Sequence, residues 1–474
     1  MMWKFNEYAE SVAAIDDSGN IIYYKEISRL EKKFSECAAR KLVFSVCKNS
    51  IGSFAGYAAM INAKAVPAMI SFDMDKELLE KLIKGYEPDY IWAPKEYTDN
   101  GLVKYIDAEN GIVFEAYGYT LQKTVFHSDV ALYDELALLL TTSGSTGSPK
   151  FVRQSYANIL ANTESIVKYL ELDTTERPIT TLPMSYTYGL SIINSHLYVG
   201  ATLLITDKTL MQKDFWSFFK EYEATSFGGV PYTYEMLKKL RIFRMDLPSL
   251  RTMTQAGGKL IPELHKEFAE YALSQNKKFV VMYGQTEATA RMGYLPADKS
   301  LEKFGSMGIA IPGGKFKLID VDDKEITEPD TVGELVYEGT NVTLGYAECR
   351  KDLAKADERG GILVTGDMAK RDSDGYYYIV GRKKRFLKIF GKRVNLDEID
   401  GLIKSHFDGI DSAAAGRDDC MHIFIDNEKL TDKVRAFILE KTKLNPIAVK
   451  VQYIEKIPKS DSGKTRYAEL EKYI

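Results

Sequence analysis

Short runs rich in β-branched and aromatic residues recur along the first three hundred residues, separated by stretches with apolar residues at helical spacing. KLVFSVC (41–47), DYIWAP (89–94), ATLLIT (201–206) and KFVVMYG (278–284) read as strands. Between them, ANILANTESIVKYL (157–170) puts Ile159, Leu160, Ile166, Val167 and Leu170 on one helical stripe. This alternation constrains the chain to an α/β fold, with sheets covered by helices and ligands beyond the carboxyl ends of strands. After about residue 305 the pattern shifts. GELVYEG (333–339), GILVTGD (361–367) and DGYYYIVGR (374–382) are short runs divided by turns, which predicts a small antiparallel β subdomain. Next comes RKKRFLKIFGKRVNLDEIDGLIKSHF (382–407). There Asn395 and Glu398 have capping-box spacing, and Ile399, Leu402, Ile403 and Phe407 form a stripe. At 474 residues the chain exceeds the usual size of one domain. The reading is a large N-terminal domain, 1–382, of helix-covered sheets with a small β subdomain, and a smaller, mobile α+β C-terminal domain, 383–474.

The charge balance narrows the function. Lys plus Arg number 63 against 67 Asp plus Glu, a net charge of -4, without the basic excess of a nucleic-acid binder. The four cysteines, Cys37, Cys47, Cys349 and Cys420, form no CxxC pair, so neither a zinc site nor a disulfide framework is expected. The first residues carry acids and no long apolar run, unlike a signal peptide. The most apolar window, FAGYAAMINAKAVPAMI (54–70), is broken by Lys64 and Pro67 and is too short to span a membrane. A cytoplasmic location is expected.

The stretch TTSGSTGSPK (141–150) follows the apolar run LALLL. Gly144 and Gly147 allow positive φ and close backbone approach. Exposed amides in such a turn form an anion nest. Ser143, Ser145 and Thr146 add hydroxyls, and Lys150 adds a charge. The spacing is not GxxxxGK[ST], since Lys150 stands three residues after Gly147 and precedes Phe151; a P-loop NTPase is therefore not expected.

At nearly every position TSGSTGSPK resembles the phosphate-loop signature of the adenylate-forming, AMP-binding superfamily, which includes acyl- and aryl-CoA synthetases and stand-alone adenylation enzymes. Further stretches resemble that family's motifs in the same order. YGQTE (283–287) resembles YGxTE. It implies Tyr283 against adenine, Gly284 beside it, Thr286 on the α-phosphate, and Glu287 as a Mg²⁺ ligand with Thr142. A carboxylate suits this hard cation. The glycine pair of TQAGGKL, Gly257 and Gly258, corresponds to the backbone that approaches adenine. VTGD implies that Asp367 accepts from both ribose hydroxyls, with Arg382 reaching ribose or phosphate and Lys384 at the hinge. PKSDSGKTR (458–466) resembles the C-terminal motif whose lysine, here Lys464, bridges the attacking carboxylate and the α-phosphate. On composition alone a tail lysine is an ordinary solvated charge.

One stretch departs from the family. LPMSYTYGL (182–190) has Tyr186 where many relatives carry His, and Tyr186-Thr187 where amino-acid-activating domains carry Phe-Asp. A buried substrate ammonium would lack a counter-charge, which is costly, so a carboxylic acid without an α-amino group is expected. SFGGVPYTYEML (226–237) resembles the segment lining the acyl pocket. Tyr186, Gly189, Val230, Gly257 and Gly284 are the expected pocket residues. The basic run 382–393 contains Gly391, near the family's thiol tunnel, and its cations suit either the phosphates of CoA or an acidic carrier protein.

Together these imply a two-step ligase that uses ATP and Mg²⁺. A carboxylate gives an acyl-adenylate and pyrophosphate, and a thiol then expels AMP. Lys464, Glu287, Thr142 and Lys150 are the expected catalytic group. CoA is the expected acceptor, with the phosphopantetheine of a separate carrier protein as the alternative. A nucleotide-binding homologue without activity is the reading from another class.

Overall fold

The computed structural model describes residues 2–99, 102–109, 111–141, 150–459 and 465–474. Its largest sheet is built around strands that are apolar on both faces. Leu42–Cys47 is buried throughout, and Val66–Ser71 and Leu136–Thr141 nearly so. Strands of this kind suit a parallel sheet covered on both sides. Leu42–Cys47 lies parallel to both Val66–Ser71 and Tyr90–Pro94, and Val66–Ser71 is parallel to Leu136–Thr141. Antiparallel strands close both ends to make eight in all.

The most apolar window is core, not a membrane element. It divides into the helix Ile51–Asn62, buried at every position, and the strand Val66–Ser71. A helix that is apolar all round belongs in a protein interior. Gly56 allows the approach, since a Cβ there would lie 2.1 Å from the Trp92 Nε1. Among the described residues no helix is long and apolar enough to cross a membrane.

A second sheet runs Ser226–Gly229, Thr252–Gln255 and Lys278–Tyr283 in parallel, then adds Gly293–Tyr294 and Ile309–Ala310 antiparallel. All three parallel strands deliver their carboxyl ends to one edge: Gly229, Gln255 and Tyr283. The helix Tyr156–Leu170 matches its expected stripe and is capped reciprocally by Ser155 and Asn158. The expected β subdomain is a four-stranded antiparallel sheet of Gly314–Ile319, Gly333–Gly339, Ile362–Arg371 and Tyr377–Arg382.

Beyond Arg382 the chain makes a single turn, Lys383–Arg385, then a two-stranded ribbon of Phe386–Ile389 and Lys392–Asn395. The helix Leu396–His406 follows, then a three-stranded sheet of Ser412–Arg417, Cys420–Ile425 and Val449–Tyr453, covered by Thr431–Thr442. Ile399 and Ile403 are buried in this core, with Leu402 and Phe407 packed against it. The expected capping box is incomplete. Asn395 caps by accepting from the Asp397 amide at 3.0 Å, two residues on rather than three, so Glu398 is not part of it.

Candidate active site

The turn after Lys278–Tyr283 gathers most of the polar residues singled out in the sequence. Thr286 to Ala288 form one 3₁₀ turn. Glu287 is half-buried, and its Oε1 accepts from the Tyr346 hydroxyl at 2.7 Å. Tyr346 comes from the strand Gly345–Ala347, which pairs with Phe151–Ser155 directly after Lys150. The Lys150 ammonium sits 3.7 Å from the centre of the Tyr346 ring, and the Arg359 guanidinium 4.8 Å from it. Arg359 also donates to the Glu287 carbonyl at 3.0 Å and to Thr343 Oγ1 at 2.7 Å. Burial and the Glu287 carboxylate push the Tyr346 phenol up to about 12, so it stays a donor at neutral pH. Neither Tyr346 nor Arg359 carries a sequence signal; both reach Glu287 only through strand pairing and a loop. Thr142, Ser143, Gly144, Ser145, Thr146 and Gly147 lie outside the described residues.

The second carboxylate is locked. Asp367 lies opposite Arg382 in the register of Ile362–Arg371 and Tyr377–Arg382. Its Oδ1 meets Arg382 Nε at 2.7 Å; its Oδ2 accepts from the Tyr283 hydroxyl and from Gln285 Nε2 at 2.9 Å. Gln285 also donates to the Thr365 carbonyl at 3.0 Å. Burial raises the Asp367 pKa, and Arg382 opposes that rise. Sequence reasoning paired Tyr283 with adenine and Asp367 with ribose. The structure ties the two to each other, and Gln285, unremarked within YGQTE, completes the clamp.

Beside Tyr283 and Gly284 opens a narrow cleft with room for about one or two water molecules, lined by Tyr186, Tyr188, Gly257, Tyr283, Gly284 and Arg291 among others. Gly257 has φ +82°, and a Cβ there would meet the Tyr186 hydroxyl at 2.5 Å and Val230 Cγ1 at 3.1 Å. Gly258 faces Pro231, and a Cβ on Gly284 would strike the Ala290 carbonyl. The structure thus gathers Tyr186, Val230, Gly257 and Gly284. Gly189 is elsewhere, packed under the Pro183 carbonyl. Burial pushes the Tyr186 phenol up to about 12.

For a Mg²⁺ ion the donor set is partial. Among the described residues no cluster of three or more acidic, His or Cys side chains exists, and Thr142 is not described. Glu287 fits the role, since Tyr346 engages one carboxylate oxygen and no hydrogen bond occupies the other among the described residues.

Lys384 is exposed in the turn Lys383–Arg385, and Gly391 takes φ +84° at the ribbon's tip. Lys464 lies outside the described residues; on either side of its segment Lys459 and Thr465 pair as a bridge. One member of the basic run is structural. Arg385 is buried, meets Asp397 and Asp400 at 2.7 Å each, donates to the Ala414 carbonyl, and stacks 3.7 Å over Tyr467. Asp397 also accepts from the Arg382 amide at 3.0 Å, tying the last strand before the turn to the helix after it.

Residues 23–347 match the AMP-binding enzyme family, and the chain belongs to it. Yeast (Saccharomyces cerevisiae) oxalate–CoA ligase is 28% identical over 347 residues, 70% of this chain, and the match spans 62% of the yeast protein's length. A long-chain-fatty-acid–CoA ligase of Salmonella typhimurium is also 28% identical, over 88% of this chain and 76% of its own. Among solved structures, ATP-bound MatB from Rhodopseudomonas palustris superposes with a TM-score of 0.77 at 20% identity, covering 98% of this chain and 95% of that one. O-succinylbenzoate coenzyme A synthetase from Bacillus subtilis, in complex with AMP, gives 0.77 at 19%, covering 98% and 97%. These likenesses carry the fold: a large N-terminal α/β body and a smaller C-terminal domain.

Proposed function

We propose that this chain is an AMP-forming acid–thiol ligase that activates a non-amino carboxylic acid with ATP and passes the acyl group to CoA. The supporting observation is a pair of carboxylates held at the Tyr283–Glu287 turn, whose Tyr283 and Gly284 line the cleft. Glu287 is held by Tyr346 beside the Lys150 ammonium, and Asp367 is clamped by Tyr283, Gln285 and Arg382. Two differently partnered carboxylates suit the two ends of a nucleotide. The polyphosphate would lie toward Glu287, Lys150 and the segment 142–149, and the ribose would engage Asp367, displacing part of its present clamp.

Step one joins two anions, so positioning and charge neutralisation dominate its barrier. Lys150 would offset phosphate charge. Lys464 would reach the α-phosphate as the carboxylate attacks, and Glu287 with Thr142 would hold the cation. Magnesium, when bound, supplies charge neutralisation at the phosphate oxygens. No Asp or Glu lines the cleft among the described residues, which supports the exclusion of a substrate ammonium. Residues 1–382 would form the nucleotide-binding body and 383–474 a cap turning about Lys384, so that Lys464 withdraws before the thiol attacks. Gly391 would sit by the thiol's path.

ATP–pyrophosphate exchange across a panel of carboxylic acids tests the reading. Acid-dependent exchange followed by AMP release with CoA is expected. Thiolation of a carrier protein but not of CoA would move the acceptor assignment; ADP formation would overturn the reading.

A further inference from the structure

Arg291 is buried at 2% exposure, yet among the described residues none of its partners is acidic. Its Nε donates to Ser191 Oγ at 3.2 Å, and its Nη1 to the Tyr169 hydroxyl at 3.0 Å and the Met282 sulfur at 2.7 Å. The guanidinium lies 4.9 Å from the centre of the Tyr188 ring. Its Nη2 makes no hydrogen bond with a described residue, and the side chain lines the cleft. A second void, about the size of one water, shares Thr187 with that cleft and is lined in part by Ser191, and no Asp or Glu lines it among the described residues. Neutral dipoles surround the cation, and no charge of a described residue balances it. Burying an uncompensated charge is expensive, and side chains of this type are almost never found buried without a paired ion.

The backbone is bent to bring this side chain inward. Thr289 and Ala290 take φ 53° and 95°, and the second is unusual for a residue with a Cβ. Five hydrogen bonds hold the bend: Ala290 N to the Gln285 carbonyl, Thr289 Oγ1 to Asn341, two from Asn341 Nδ2 to Ala288 and Arg291, and one from Asn162 to the Arg291 carbonyl. A strained, heavily supported backbone next to a cleft points to function.

We infer, resting on the ligase reading, that Arg291 receives a second carboxylate at the far end of the acid, so the substrate class is a small dicarboxylic acid. The reacting carboxylate faces the nucleotide end, at Gly284 and Glu287. The Arg291 guanidinium lines the same cleft, among Tyr169, Tyr188 and Met282, and would take the other carboxylate. An anion there supplies the missing counter-charge and takes up the free Nη2 donors. The narrowness of the cleft favours a short spacer.

The test compares matched acids in ATP–pyrophosphate exchange: succinate with butanoate, adipate with hexanoate, and 6-hydroxyhexanoate as a neutral acceptor. The unaltered enzyme is expected to favour the better-fitting diacid over its neutral partners roughly 10- to 100-fold in kcat/KM. Arg291→Met abolishes that preference and Arg291→Lys restores part of it, with ATP binding measured separately as the check on folding. Neutral or hydroxy acids used as well as diacids overturn the inference and leave the ligase reading standing. So does an equal loss for both members of a pair in Arg291→Met. Should neither variant fold, the preference of the unaltered enzyme decides. Exchange with no acid at all overturns the ligase reading and this inference with it.

Discussion

Each acidic residue expected at the nucleotide has a partner that the sequence did not announce. Glu287 depends on the Tyr346 hydroxyl, and Tyr346 in turn carries Lys150 and Arg359 against its ring. Glu287→Gln keeps the size and weakens cation binding. The Mg²⁺ concentration for half-maximal pyrophosphate exchange should rise, and saturated exchange should fall by about 10²–10³. Tyr346→Phe keeps the ring under Lys150 and removes only the hydroxyl. It should cost about one hydrogen bond to a charged group, about 1.5–3 kcal/mol. A Mg²⁺ titration of both variants reads this directly; an unchanged midpoint in Glu287→Gln removes Glu287 from the metal site. Lys150 was legible because charge and glycine content mark a phosphate turn, whereas Glu287 and Asp367 were legible only through the resemblance of YGQTE and VTGD to family motifs. Tyr346, Gln285, Arg359 and Arg291 were not, because one tyrosine or arginine in a mixed sequence is chemically unremarkable until packing removes its water.

Two helices carry histidines that folding forbids to charge. His196, on Thr187–Tyr198, is held down to about 4 by burial and by the nearby Arg291. Its Nε2 has no partner, so a proton there would have no acceptor. His265, on Pro262–Ser274, is also held down to about 4 by burial. Its Nδ1 accepts from the Gly305 amide at 3.1 Å and must stay unprotonated, so its Nε2 is left to donate to Ser300. Between pH 6.5 and about 4 the unfolded chain takes up protons that these rings refuse. Stability is therefore full above 6.5 and declines as pH falls through that window. The decline is at most about 3 kcal/mol per ring. Urea unfolding at pH 7 and pH 4.5 measures it, and His265→Gln, which preserves a donor and an acceptor, should shrink the difference. Equal dependence in the variant counts against this origin. At the same scale, the strands 41–47, 89–94 and 278–284 and the helix 157–170 were legible from periodicity to within a residue. Asn395 caps Leu396–His406 as expected, but the box with Glu398 does not form, because spacing cannot tell which amide a side chain will reach.

The proposed cap movement would pass through the short turn at Lys383–Arg385. Arg382 holds Asp367 on one side, its amide meets Asp397 on the other, and Arg385, three residues on, anchors Asp397 and Asp400. A rotation about Lys384 leaves the Arg385 anchor within the C-terminal unit and strains the Arg382–Asp397 contact. Lys464→Ala should lower acyl-adenylate formation by about 10²–10³ while sparing thiolation of a supplied acyl-adenylate. Single-turnover assays of each half-reaction separate the two. An equal fall in both would defeat the two-position account.

Local chemistry in the sequence by itself determined the α/β class, the change to antiparallel strands near residue 305, and that the apolar window is too short and interrupted to span a membrane; the acids of the expected site came from the resemblance to family motifs. Periodicity, turn residues and charge are properties of short segments, and short segments carry them visibly. Tertiary structure alone decided that Tyr283 and Gln285 clamp Asp367, that Tyr346 holds Glu287, and that Arg291 is buried without an acidic partner among the described residues. Each depends on residues far apart in the chain meeting where water is excluded, and there the cost of an unpaired polar or charged group becomes large.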